Sequence, residues 1–423
     1  MTRPGDSRPD EITDRRIEGL WRDLAPQVLG ALVRRYGHFD AAEEAVQEAL
    51  LAAATQWPRD DVPDDPRAWL ITVASRRLVD RLRSDTARER RELTAASTAP
   101  HGPTEEPQPL SDRDDTLALL LLCCHPVLSP ASQVALTLRA VSGLTTAQIA
   151  RAYLVSETAM AQRISRAKQA IRDAGARFET PEGAEAGERL RAVLHVLYLV
   201  FNEGYASSAG EALVDVELSG EAIRLTRAAY ALRPDDGEVA GLLALMLLTD
   251  ARRASRVDAA GDLVTLEEQD RSQWDRAMVE EGTALVTRAL STSPPGPYQV
   301  QAAIAALHAE APTAADTDWP QILALYDVLV AHEPGAMVSL NRVVAVAMVQ
   351  GPDQALTELA ALARDPRMAR HHRYHAVRAH LLDRAGRAAE AADAYRLAVG
   401  LTTNEPERRY LAGRAARADG TSE

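Results

Sequence analysis

Apolar residues recur at helical spacing almost throughout this chain, and the period-2 alternation of a half-buried strand is nearly absent. The pattern is plain in IEGLWRDLAPQVLGALVRRY and WLITVASRRLVDRL, and again in EAIRLTRAAYALRPDDGEVAGLLALMLL. Composition reinforces it: Ala, Leu and Arg abound while aromatics are 4% of residues, so intrinsic preference favours helix in most windows. An all-α protein follows, and 423 residues are too many for one ordinary core.

Breaks in the periodicity divide the chain. Residues 1–12 are expected to form a disordered tail, and residues 13–93 a first helical domain. The stretch AASTAPHGPTEEPQPLSDRDDT (94–115) is rich in Pro, Thr and acid and has no period, so it reads as a flexible linker. Residues 116–177 form a second compact helical unit, and residues 181–423 a long helical array. Helix–Pro–helix layouts recur there around Pro234 and Pro334. In the last unit, Ala391, Tyr395 and Ala398 stand where tetratricopeptide-type (TPR-like) repeats keep small and aromatic residues.

Several functions are disfavoured. The N-terminal residues MTRPGDSRPDEITDRR have no apolar core, and runs such as LALLLLCC are far short of a membrane span of roughly 20 residues, pointing to a cytoplasmic protein with no membrane partner. No P-loop, dinucleotide fingerprint or triad signature occurs, so neither an enzyme nor a cofactor is implied. CCHP (123–126) offers possible zinc ligands, but adjacent cysteines leave a helix in different directions and no second ligand pair is suitably spaced; a buried structural role is expected. HHRYH (371–375) reads as a helix surface. FNEGYASSAG (201–210), with Asn202, Glu203, Gly204, Tyr205 and Ser207, has no catalytic partner and reads as a packing or interdomain contact.

Charge is distributed unevenly. The net charge is −13, yet residues 139–177 hold Arg139, Arg151, Arg163, Arg166, Lys168, Arg172 and Arg177 against only Glu157 and Asp173. Residues 72–91 are also Arg-rich, and from 181 onward acids outnumber bases. Local charge decides where a polyanion binds, so nucleic acid remains open to the first 180 residues or so. The acidic half is expected to contact the basic faces intramolecularly.

LTTAQIARAYLVSETAMAQRISRAKQAI (144–171) has helix-turn-helix spacing. Ile149 and Ala150 fall inward on a first helix, Val155 sits in the connection, and Ser156 can cap a second helix on which Met160 and Ile164 return to the core. Thr158, Gln162, Arg163, Ser165 and Arg166 are left on or beside the outward face, with Lys168, the chain's one lysine, a turn later. A recognition helix needs this split between an apolar back and short polar plus Arg side chains. Leu154 occupies a turn position where Gly is common. Upstream, FDAAEEAVQEALLAAATQW (39–57) offers an acidic and amide-rich face with Asp40, Glu43, Glu44, Gln47 and Glu48. Residues 67–91 follow as a helix with Trp69, Leu70, Val73, Leu78 and Leu82 as its apolar stripe, and Arg76, Arg77, Arg81 and Arg83 on other faces. From these features alone, an operator-binding regulator with a sensing helical domain and a TPR-like adaptor without a DNA role both stay open.

The order of these elements, with the wording AAEEAVQEALLAA, PRAWLITVASRRLVDRLR and LSPASQVALTLRAVSGLTTAQIARAYLVSETAMAQRISRAKQAI, resembles the extracytoplasmic-function (ECF) sigma factors of bacterial RNA polymerase. The resemblance covers residues 13–177 as a sigma-2 domain, linker and sigma-4 domain; LYLVFNEGYASSAG followed by helical repeats resembles the subgroup with a long TPR-like extension. It implies RNA polymerase core, through its clamp helices and flap region, and promoter DNA as partners. Asp40, Glu43, Glu44 and Gln47 match the helix that docks on the clamp helices. The loop PRDDVPDDP (58–66) matches the one that receives a flipped −10 base, and Arg76, Arg77, Arg81 and Arg83 match the −10 helix. Thr158, Gln162, Arg163, Ser165, Arg166 and Lys168 match the −35 recognition helix of that family, with Ala161 at a position that is often basic there.

Overall fold

The structure, a computed structural model, describes residues 9–93, 115–176, 178, 181, 183–206, 209–210, 213–259 and 261–420. Among them the architecture is all-α, apart from one parallel pairing of Ala209–Gly210 with Thr403–Asn404 and an isolated bridge between Val257 and Leu263. The chain divides into two compact units, 1–196 and 197–423.

The first unit opens with α1 (Pro9–Tyr36), α2 (Phe39–Asp60) and α3 (Pro66–Leu93). Pro9–Ile12, expected as part of a tail, are helical; residues 1–8 lie outside the described residues. Val28 and Leu32, then Ala42, Val46 and Ala49, then Leu70, Ala74 and Leu78 repeat every three or four residues and are all buried. Each helix therefore turns one stripe inward. At one end Trp57 lies 6.3 Å from Trp21 and 5.6 Å from Trp69, ring centroid to centroid.

Four shorter helices follow: α4 (Thr116–Cys123), α5 (Pro130–Ala140), α6 (Thr146–Ala152) and α7 (Glu157–Asp173). Their starts are locally encoded. Ser129 caps α5 with Pro130 at its first position, and Thr145 and Gln148 form a capping box on α6. Residues 94–114 of the expected linker lie outside the described residues, but its last residue, Asp115, is fixed: it is buried, precedes α4 and accepts a 2.8 Å bond from Arg34 on α1. Gly30 allows that approach, since a Cβ there would stand 2.6 Å from the Asp115 Cβ.

α8 (Gly183–Tyr205) spans the division between the units, which falls at 196/197, whereas the break in sequence pattern lies near 181. The second unit continues with α9 (Val216–Leu232), α10 (Gly237–Asp250), α11 (Arg276–Thr292), α12 (Pro297–Glu310), α13 (Trp319–His332) and α14 (Ala336–Gln350). α15 (Pro352–Leu362), α16 (His372–Arg384), α17 (Ala388–Leu401) and α18 (Glu405–Gly420) complete it. Sequential helices pack on one another through Ala-rich faces: Ala244, Ala302 and Ala306 in one cluster, and Ala379, Ala391, Ala394 and Ala398 with Tyr395 in another. The segment between α10 and α11 folds back on the helices. Asp275 N–H donates to the Ala251 carbonyl (2.8 Å), Trp274 Nε1 donates to Ser255 Oγ (2.9 Å), and the buried Arg256 donates to the Tyr205 carbonyl.

FNEGY belongs to this packing. Phe201 stacks on Tyr205 with centroids 5.7 Å apart, the Arg256 guanidinium lies 3.8 Å from the centre of the Tyr205 ring, and Gly204 abuts α9. Ser207 lies outside the described residues.

Candidate nucleic-acid interface

The helix-turn-helix forms as its spacing requires. Ile149, Ala150, Met160, Ile164, Ala167 and Ile171 are buried, and Ser156 Oγ accepts the Ala159 N–H at 3.2 Å. The tight connection is held by Val155 N–H donating to the Ala150 carbonyl (3.0 Å) and Leu154 N–H donating to the Arg151 carbonyl (3.2 Å). Leu154 adopts the left-handed region, with φ of 48°, and its side chain is exposed. A left-handed non-glycine residue costs roughly 1–2 kcal/mol, so Leu154→Gly is expected to stabilise the protein by about 0.5–1 kcal/mol after the extra entropy of unfolded glycine is counted. A raised urea midpoint at unchanged slope checks this.

On α7, Thr158, Gln162, Ser165 and Arg166 are exposed and Arg163 is half-buried. Neither Arg163 nor Arg166 has an ion pair among the described residues. That leaves a short polar row with two free cations, suited to base edges and phosphates.

Lys168 is placed differently. Its ammonium turns away from that row onto Glu43 and, at 3.5 Å, Asp40, leaving its side chain 16% exposed. Arg172 also pairs with Asp40, and Arg139 Nε forms an ion pair with Glu43 Oε1 at 2.7 Å. Glu43, expected on the exposed face of α2, is 3% exposed. The correction has a simple cause: the side chains of Arg139 on α5 and Lys168 on α7 reach Glu43, and a carboxylate can be buried there because two cations meet it. The same electrostatic match seats Lys168 beside Phe39, 5.9 Å from its ring centre.

The rest of the acidic face meets α3. Arg77 bonds Glu48 at 2.7 Å, while Arg81 pairs with Glu44 and, at 3.1 Å, with Glu48. Arg76 and Arg83 lie on α3 without an ion pair among the described residues, and Gln47 is half-buried. From the end of α2 to the start of α3, Arg59, Asp60, Asp61, Asp64 and Asp65 are all exposed; Asp65 Oδ1 caps α3 by accepting the Ala68 N–H at 2.9 Å. Most of the residues singled out in the sequence thus gather on α2, α3 and α7. Arg139 and Arg172 were missed as partners of that group. The available signal was spacing, since Asp40 and Glu43 are three apart and Lys168 and Arg172 four apart, each pair on one helix face.

Cys123 and Cys124 are fully buried. Burial pushes both thiols up, Cys124 to about 12, so they stay protonated and poor as ligands or nucleophiles. Among the described residues no cluster of His, Cys, Asp and Glu could hold a metal, and no helix is long and apolar enough to cross a membrane.

The chain has recognisable relatives. Sigma-70 region 2 matches residues 20–88, sigma-70 region 4 matches 118–171, and a family of unknown function, DUF6596, matches 189–290. Uncharacterized protein R00370 of Rhizobium meliloti (strain 1021) is 45% identical over 406 residues, covering 92% of this chain and 94% of that protein. Probable ECF RNA polymerase sigma factor SigI of Mycobacterium tuberculosis (strain CDC 1551 / Oshkosh) is 32% identical over 161 residues, 37% of this chain and 54% of the relative. ECF RNA polymerase sigma factor SigJ of Mycobacterium tuberculosis (strain ATCC 25618 / H37Rv) is 33% identical over 162 residues, 35% of this chain and 47% of that one. The chain therefore spans about half the length of each of these two named sigma factors, whereas its similarity to the Rhizobium protein extends well beyond region 4.

Proposed function

We propose that this ECF/sigma-70-like chain, with regions 2 and 4 followed by a large helical extension, is a promoter-specific initiation factor. It binds RNA polymerase core through α2, with Asp40, Glu43, Glu44 and Gln47 meeting the clamp helices, while region 4 meets the flap. Arg76, Arg77, Arg81 and Arg83 hold the −10 strand as it opens. Thr158, Gln162, Arg163, Ser165 and Arg166 read the −35 element, joined by Lys168 once it leaves Glu43. The domains follow the sequence divisions: sigma-2 over 13–93, linker over 94–115, sigma-4 over 116–177, and a TPR-like array from 181 that regulates them in cis in the cytoplasm.

The observation that carries this reading is the exposed polar row on α7 within a region-4 match, in the same chain as a region-2 match. Arginines without counter-ions on such a row favour a polyanion over a neutral partner. The ion pairs of Lys168, Arg77 and Arg81 mean that DNA and polymerase must exchange for contacts already made within the chain.

The test is transcription in vitro from sheared genomic DNA by core polymerase, with the 5′ ends of the transcripts mapped. Discrete start sites should appear only when this chain is added. Arg166→Ala should lower those transcripts about tenfold, the loss of one good base or phosphate contact, while co-purification with core polymerase is unchanged. Tight binding to a DNA site without polymerase, and no start sites, would favour an operator-binding regulator instead.

A further inference from the structure

The second unit contains a cavity of about 850 Å³, lined by none of the residues assigned above to DNA or polymerase. Its wall is assembled from distant parts of the chain: the turn at Thr265–Arg271, the end of α12 at His308, the 313–319 turn, and faces of α13, α14, α16, α17 and α18. Small-molecule sites typically fall in the range of about 300–1,000 Å³ and combine apolar walls with a few polar groups. This cavity does both. Trp319, Tyr326, Tyr395 and Tyr410 supply rings, Val344 and Met348 supply apolar surface, and His308 stands edge-on to Trp319 with centroids 5.3 Å apart.

Its polar groups are mostly uncharged. Burial, together with Arg252 and Arg271, pushes the His308 imidazole down to about 4, and burial also lowers His380. Burial raises Tyr326 and Tyr395 to about 12, so both remain phenols at neutral pH. The cation on the wall, Arg271, is engaged elsewhere: its Nη1 donates to the carbonyls of His308 and, at 2.6 Å, Ala311, and its guanidinium lies 4.8 Å from the Trp274 ring centre. Glu267 carries a negative charge at an exposed position. Asn341 is exposed on α14 and makes no hydrogen bond among the described residues, leaving an amide donor and acceptor for whatever enters.

We propose that this cavity binds an uncharged, ring-bearing small molecule, with its ring among Trp319, Tyr326 and Tyr395 and its polar group on Asn341. A phosphate or nucleotide would lose hydration here without gaining a free cation from the cavity wall, and would also face Glu267. A planar organic ring instead gains aromatic contact on several sides and needs few hydrogen bonds. Nothing in this proposal depends on the transcription reading.

The test uses the full chain and the fluorescent probe N-phenyl-1-naphthylamine, which is uncharged and carries two aromatic groups. A saturable gain in probe emission at one site per chain is expected, reversed by indole and unaffected by inorganic phosphate or AMP. Val344→Trp and Ala315→Trp fill the cavity from two walls, and each should weaken the probe by about tenfold or more with unchanged thermal unfolding. Asn341→Ala, at an exposed position that folding does not need, should weaken it by about threefold. No saturable gain, displacement by phosphate or AMP, or undiminished binding in all three variants would overturn the proposal. The competition arm uses the unaltered chain, so it decides the ligand class even where a tryptophan variant fails to fold. Neither polymerase nor DNA is present, so the outcome is independent of any failure in transcription.

Discussion

Gly204→Ala is expected to lower the melting temperature of the second unit by about 4–8 °C, a loss of about 2 kcal/mol for a unit of this size. Two effects oppose one another. Alanine in a helix is favoured over glycine by about 1 kcal/mol. Against that, a Cβ at 204 would stand 2.3 Å from the Ser219 nitrogen and 2.9 Å from the Leu218 carbonyl carbon, all of it backbone that no rotamer change can move. Overpacking costs about 1–3 kcal/mol where side chains can adjust, and the upper end or more where they cannot. The clash wins. Relief would require α8 and α9 to separate, stretching the 2.7 Å bond from Asp215 N–H to the Gly204 carbonyl. That same Asp215 caps α9 by accepting from Glu217 and Leu218, so the first turn of α9 should loosen with it. Gly220→Ala, on α9 with nothing within 4 Å of its added methyl, is the control and should instead gain about 0.5–1 kcal/mol. Calorimetry on the three full-length chains separates these outcomes; equal shifts for both variants would mean that the α8–α9 approach is not tight.

The close approach at Gly204 was only partly legible in the sequence, and the contrast with the helix-turn-helix shows why. Ile149, Ala150, Met160 and Ile164 announce their burial through local spacing, and Ser156 announces a helix start through its chemistry, because both signals depend on residues within a turn or two. Glu43 gives the opposite signal. It shares a polar stripe with Asp40 and Gln47, so periodicity places it outside; only Arg139 and Lys168, about 100 residues onward, make its burial tolerable. Leu154 shows a third case, since no local preference puts a leucine at φ of 48°, and the turn between two packed helices overrides it. The cavity of the second unit was not legible at all. Its lining runs from Thr265 to Leu411, gathered a few residues at a time from many elements, and such a set has no period.

Glu43→Ala is expected to destabilise the first unit by about 2–3 kcal/mol, far more than removal of an ion pair on the open face. The starting point is the cost of breaking a buried pair, about 3–5 kcal/mol, because the partner is left charged in a poor solvent. Here two partners are left, Arg139 and Lys168, but their side chains retain 22% and 16% exposure. Each also keeps another contact: Arg139 donates to the Leu144 carbonyl at 3.2 Å, and Lys168 stays 3.5 Å from Asp40. Those contacts and partial hydration reduce the cost without removing it. By comparison, Arg77 and Glu48 are 41% and 38% exposed, and Arg77→Ala should cost no more than about 1 kcal/mol. Adding Lys168→Met to Glu43→Leu should recover part of the loss, since it leaves one stranded cation, Arg139, in place of two. Hydrogen exchange on the full chain provides the readout. Glu43→Ala should speed exchange in the first half of α2 and the second half of α7, while Arg77→Ala leaves both unchanged. The consequence reaches function, because Glu43 and Lys168 neutralise one another while α2 and α7 are held together. Any partner that takes the acidic face of α2 must break that contact, and in doing so it frees the chain's one lysine on the helix proposed to read DNA.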